Sequence, residues 1–121
     1  MLERQSFAII LTSLLFGCAN APTRQLSDAE AAYRAAQEVG AAQQPDSAYH
    51  LKLAEDQIAK AKKEMDGKKK EKRHARDLLE QAELDAEVAI SLAKTHEAKA
   101  RAKQAWDKVN ELKVENAKIG E

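Results

Sequence analysis

The sequence predicts an all-α protein: an elongated antiparallel helical hairpin or three-helix arrangement with a long, coiled-coil-like C-terminal helix. Three observations carry this. Ala, Glu, Lys, Leu and Gln dominate the 121 residues, which is the composition of long helices. Four Gly and two Pro are too few to turn a many-stranded sandwich or barrel. Apolar residues recur at steps of three and four over most of the chain. The same counts remove other classes. One Cys precludes an internal disulfide framework or a Cys-rich zinc module. The balance of 20 basic against 20 acidic residues argues against a general nucleic-acid binder.

The first element is a leader. Met1 to Gln5 is short and polar with Arg4, and Phe7 to Phe16 is almost wholly apolar. Such a run reaches only ~15 Å as a helix, about half of a ~30 Å hydrocarbon core, so a secretory signal fits better than a membrane span. It closes in Leu15-Phe16-Gly17-Cys18, a small residue before the single Cys. That arrangement resembles the bacterial lipoprotein signal, which implies a signal peptide over 1–17 and lipidation of Cys18 as the mature N-terminus. The resemblance further implies several acyl chains, hence a stable anchor, since one chain binds only marginally at ~0.8 kcal/mol per buried methylene. Ala19, in place of Asp, implies sorting to the outer membrane.

Residues 18–25, with Asn20, Pro22 and Thr23, form a lipidated tether, and 26–121 the helical domain. Ser27-Asp28-Ala29-Glu30 has capping-box form and opens a first helix over about 27–39, with Ala29, Ala32, Tyr33, Ala36 and Val39 on one face and Gly40 as the stop. Asp46 or Ser47 caps a second helix over about 47–66, whose stripe is Leu51, Ala54, Ile58, Ala61 and Met65. Gly67 ends it. No Gly or Pro follows from Lys68 to Ile119. The basic run there delays the third helix to about 74–118, because cations oppose the dipole at a helix start. Its first half carries Ala75, Leu79, Ala82, Ala86, Ala89, Ala93 and His96, and its second half Ala102, Ala105, Val109, Leu112, Asn116 and Ile119. The two registers slip between His96 and Ala102, so the halves face different surroundings. From Cys18 onward there are 15 Leu, Ile and Val against 23 Ala, which leaves little apolar area for a core and no enclosed ligand cavity. The first two helices can cover only half of the third. An isolated helix is marginal alone, so something pairs with the other half.

Several segments in order carry a second resemblance: Ala19-Asn-Ala-Pro22, Leu26-Ser-Asp-Ala-Glu-Ala-Ala-Tyr33, Ala48-Tyr-His-Leu-Lys-Leu-Ala54 and Leu78-Leu-Glu-Gln-Ala-Glu-Leu-Asp-Ala-Glu87. From about Cys18 to Ala100 the chain resembles an uncharacterised family of Ala-rich helical envelope lipoproteins, domain-of-unknown-function family 4398. Its members occur alone or ahead of an OmpA-type peptidoglycan-binding domain. The resemblance implies no catalytic residues. As the sequence ends at Glu121 without that module, wall binding through it is not expected.

Little in the sequence points to chemistry. His50, His74 and His96 lack metal-ligand spacing, the glycines are dispersed, and no serine sits in a nucleophile motif. No enzyme activity, catalytic residue, metal, cofactor, small-molecule substrate or nucleic acid is expected. Two surfaces remain. The first is the basic run, where Lys68, Lys69, Lys70, Lys72, Arg73 and Arg76 offer contacts for an anionic bilayer, each worth about 1 kcal/mol near the surface. The second is a partner face of Trp106, Val109, Leu112 and Asn116, since Trp is enriched at interaction hot spots and Asn sets register in paired helices. The expectation is a non-enzymatic, lipid-anchored outer-membrane protein facing the periplasm. Its C-terminal helix would pair with itself, as a homo-oligomer, or with another envelope protein. Alternatively the basic turn 68–76 is a membrane-surface module. A false signal would instead leave an intracellular coiled coil.

Overall fold

The computed structural model describes residues 20–120. The leader 1–17 and the lipidation expectation at Cys18 lie outside the described residues. Three helices follow one another: α1 (Thr23–Glu38), α2 (Pro45–Glu64) and α3 (Lys69–Ile119), with a short 3-10 turn at Ala41–Gln43 between the first two. There is no strand among the described residues.

α1 begins four residues before the expected capping box. Pro22 is buried, Leu26 packs against the core, and the Leu26 N–H donates to Pro22 O at 3.0 Å. Burial of this entry turn therefore outweighs the local Ser27–Glu30 start signal, and Ser27 stays exposed inside the helix. The stop at Gly40 is as expected. Its φ of 76° lies in the left-handed region, where a Cβ costs roughly 1–2 kcal/mol. Pro45, with its fixed φ, occupies the first turn of α2. Ser47 is not the cap: its buried Oγ donates to Ala41 O at 2.6 Å and ties the 3-10 turn to α2.

α3 starts at Lys69, not near residue 74, so most of the basic run is helical. The expected dipole penalty is offset locally. Glu71 puts an acid in the first turn and accepts the Lys68 N–H at 2.6 Å, while His74 pairs with Glu64 of α2. Lys68, Lys69, Lys70 and Arg73 face solvent, where their mutual repulsion is screened.

α2 runs antiparallel to both other helices. Lys62 reaches Glu30 of α1 at 2.5 Å, and His50 and Gln57 reach Asp85 of α3. The inner stripes meet as expected: Ala29 and Ala36 of α1, Leu51, Ala54, Ile58, Ala61 and Met65 of α2, and Ala75, Leu78, Leu79, Ala82, Ala86, Ala89 and Ala93 of α3. Ten of these fifteen buried apolar residues, Ala41 included, are alanines. Small side chains let the helices approach closely but yield little area each. The bundle ends at Ala93. Only His96 beyond it is half-buried, and every residue from Glu97 to Gly120 is exposed. α3 is ~75 Å long at about 1.5 Å per residue, and its last ~35 Å stands clear of α1 and α2.

Candidate functional site

The topology gives the molecule two distinct ends. Lys62, near the end of α2, pairs with Glu30 at the middle of α1, and because the two helices run antiparallel the α2–α3 connection lies towards the end where the chain enters. Lys68, Lys69, Lys70 and Arg73 are exposed there, with Lys72 and Arg76 partly covered. All six cations are brought to this end. They are not a purely basic surface, because Glu64, Glu71 and Asp77 line the same open depression as Lys70, Arg73 and Arg76. Arg76 Nε is buried without a hydrogen-bond partner, while its residue as a whole is only partly covered.

Two histidines join α2 to α3. Because a carboxylate only accepts, His50 Nδ1–H donates to Asp85 Oδ1 at 2.8 Å, and Gln57 Nε2 donates to the other oxygen at 2.9 Å. His74 pairs with Glu64 nearer the chain-entry end. These groups clasp two helices, and Glu64 and His74 also line the open depression at the chain-entry end. Among the described residues no group of three His, Cys, Asp or Glu could hold a metal ion, and no helix is long and apolar enough to cross a membrane.

The other end is the free half of α3. Trp106, Val109 and Leu112 are 65%, 41% and 45% exposed, and Asn116 is exposed beside them. The four stand together on a helix that nothing covers among the described residues. Local ion pairs support that helix without a bundle: Arg101 with Glu97, Lys103 with Asp107 at 2.7 Å and Lys108 with Glu111 at 2.9 Å. Such exposed pairs contribute about 0.3–0.5 kcal/mol each. Val114 and Ile119 are also exposed, as are Leu84 and Val88 on the outer side of the bundle portion. Leu84 and Val88 belong to neither surface that the sequence predicts. The signal that finds them is the 4-3 spacing of the second half counted backwards.

No curated protein and no solved structure matches the chain. A family model described as a domain of unknown function, DUF4398, matches residues 24–105, from the first turn of α1 into the free half of α3, and the chain belongs to that family.

Proposed function

We propose that the chain is a non-enzymatic outer-membrane lipoprotein, anchored through Cys18, whose helical rod is a structural or protein-interaction element in the periplasm. The free half of α3 is its binding part. One observation carries this reading: from Glu97 to Gly120 every residue is exposed, and large apolar side chains stand on that stretch at helical spacing. A solvated helix has no need of Trp106, Val109 and Leu112 on one side, whereas a helix that pairs does. The polarity of the rod fits an anchor. The chain enters at one end, and the free half extends away from the other by ~35 Å.

Two experiments test this. The mass of the denatured native protein should correspond to cleavage before Cys18 plus acyl groups; the mass of the unprocessed chain would overturn the anchored reading. A photo-crosslinking residue at position 106 should give a heavier product in cells, and one at exposed Asp56 of α2 should not. No product at 106 would overturn the interaction reading.

A second reading rests on the six cations at the chain-entry end. They lie where an anchored chain would meet the bilayer, and each contributes about 1 kcal/mol near an anionic surface. Replacing Lys68, Lys69, Lys70 and Lys72 with Gln should then weaken binding of unlipidated protein to anionic liposomes. Unchanged binding would remove this reading.

A further inference from the structure

α3 carries two apolar stripes, and they overlap. The inner one, through Ala75, Leu79, Ala82, Ala86, Ala89 and Ala93, faces α1 and α2. The outer one begins at Leu84 and Val88, steps through the small residues Ser91, Thr95, Ala98, Ala102 and Ala105, and continues through Val109, Leu112, Asn116 and Ile119. These steps alternate four and three without a break, and every position on them is exposed. At ~100° per residue the outer stripe lies about 160° round the helix from the inner one where they overlap, and it runs for ~52 Å. The slip near His96 is therefore a change of face: the inner stripe stops where the bundle stops, while the outer one was already running. Of the seven exposed large apolar residues of α3, five lie on this stripe and Trp106 borders it.

Between Lys94 and Lys113 the borders carry charge of one sign, whereas Asp85, Glu87 and Glu115 flank the stripe nearer its ends. The positions that flank a 4-3 stripe between Lys94 and Lys113 are Lys94, Lys99, Arg101, Trp106, Lys108 and Lys113, so five of the six are cations. The acids of this stretch, Glu97, Asp107 and Glu111, sit away from the stripe. Lys94, Lys99 and Lys113 have no ion pair among the described residues. A second copy fits these borders poorly. Parallel pairing in register sets Lys94 against Lys99 and Lys108 against Lys113 of the other copy. Antiparallel pairing about the middle of the stripe sets Arg101 beside Arg101, Lys99 beside Lys99 and Glu87 beside Glu115. Apart from Lys113 beside Asp85 in the antiparallel case, both arrangements oppose like charges along the seam.

We propose that the outer face of α3 from Leu84 to Ile119 is a docking seam for a helix of a different protein, one with a complementary apolar stripe bordered by acidic residues where it meets Lys94 to Lys113. The small residues in the middle of the seam allow close approach, and the cations choose the partner and its register. This rests on the interaction reading above and deepens it.

The test uses the processed protein in detergent, with two synthetic helical peptides of identical apolar stripe as probes. One has Glu at every flanking position and the other has Lys. Trp106 is the only Trp in the chain, so Trp-free peptides are followed by its emission. The Glu-flanked peptide should bind at least about tenfold tighter than the Lys-flanked one, and the difference should shrink to about threefold or less at 0.5 M salt. Leu112→Asp and Val88→Asp, both at exposed positions, should each weaken that binding while leaving the thermal melt unchanged. The protein alone should have the native mass of one chain.

A native dimer that Leu112→Asp dissolves would make the occupant a second copy and overturn the proposal. Equal binding of the two peptides, or none, would overturn the acidic partner. Crosslinking at position 106 keeps the two levels apart. A heavier product without peptide discrimination sinks only the charge preference, whereas no product sinks the interaction reading beneath it.

Discussion

Shortening Leu79 to Ala should cost more stability than any other single truncation in α3. Leu79 is fully buried, and it is the largest side chain in the bundle with no exposed surface. The change deletes three buried carbons at about 0.8 kcal/mol each, roughly 2.4 kcal/mol before any cavity is counted. Alanines line much of the surrounding core. A Cβ methyl cannot swing into a void, so the space closes only if whole helices shift. The loss should therefore fall near 3–4 kcal/mol, inside the usual range for buried Leu→Ala changes. A bundle of this size is stable by only about 4–12 kcal/mol. The melting temperature, followed by circular dichroism at 222 nm, should fall by about 12–30 °C, and the urea midpoint should fall with it. Leu112→Ala is the internal control: at 45% exposure on the free half it should stay within about 0.5 kcal/mol of the parent. A loss below about 1 kcal/mol for Leu79→Ala would refute the core described above. An equal loss at Leu112 would mean that the free half is packed against something in the purified protein.

Three further outcomes follow from the same geometry. In hydrogen exchange followed by mass spectrometry, amides in 97–119 should exchange orders of magnitude faster than those in 75–93, because the free half opens without breaking tertiary contacts; uniform protection would contradict this. Asp85→Ala should cost about 1–3 kcal/mol, since it leaves both His50 and Gln57 without their acceptor, and a double-mutant cycle with His50→Ala should show coupling. Burial raises the Tyr33 phenol above its ordinary value; the charge of Glu55 adds to the rise and Lys52 opposes it. Below about pH 10 the phenol is neutral in both states, so its contribution is fully present, and it is lost as pH rises through the higher folded value. Urea midpoints measured from pH 9 to 12 should fall less steeply in Tyr33→Phe, and parallel curves would refute the assignment.

Much of this fold was legible because helical periodicity is a local signal. Leu51, Ala54, Ile58, Ala61 and Met65 announced the inner face of α2 by spacing alone, and Ala75 to Ala93 did the same for α3. Gly40 marked its turn because few other residues accept that φ. The helix starts were harder to read. A capping box at Ser27 is a small local preference, and the burial of Pro22 and Leu26 outweighs it. The run from Lys68 to Arg76 looked hostile to a helix start until Glu71 and the Glu64–His74 pair were seen to offset it.

The candidate surfaces divide in the same way. Trp106, Val109, Leu112 and Asn116 were recognisable because no other periodicity competes with theirs in the second half of α3. Leu84 and Val88 were masked by the stronger stripe that shares their stretch of sequence. The sequence by itself determined the number of helices, their inner faces and the shortage of core that leaves half of α3 uncovered. Only the tertiary structure decided that a second stripe through Leu84 and Val88 stays open along the bundle portion of α3, and that burial of Pro22 and Leu26 sets where α1 begins. A helix rotates 100° with every residue, so a few positions move a side chain from one face to another. Periodicity can name two faces, but only packing against a neighbour selects the one that is buried.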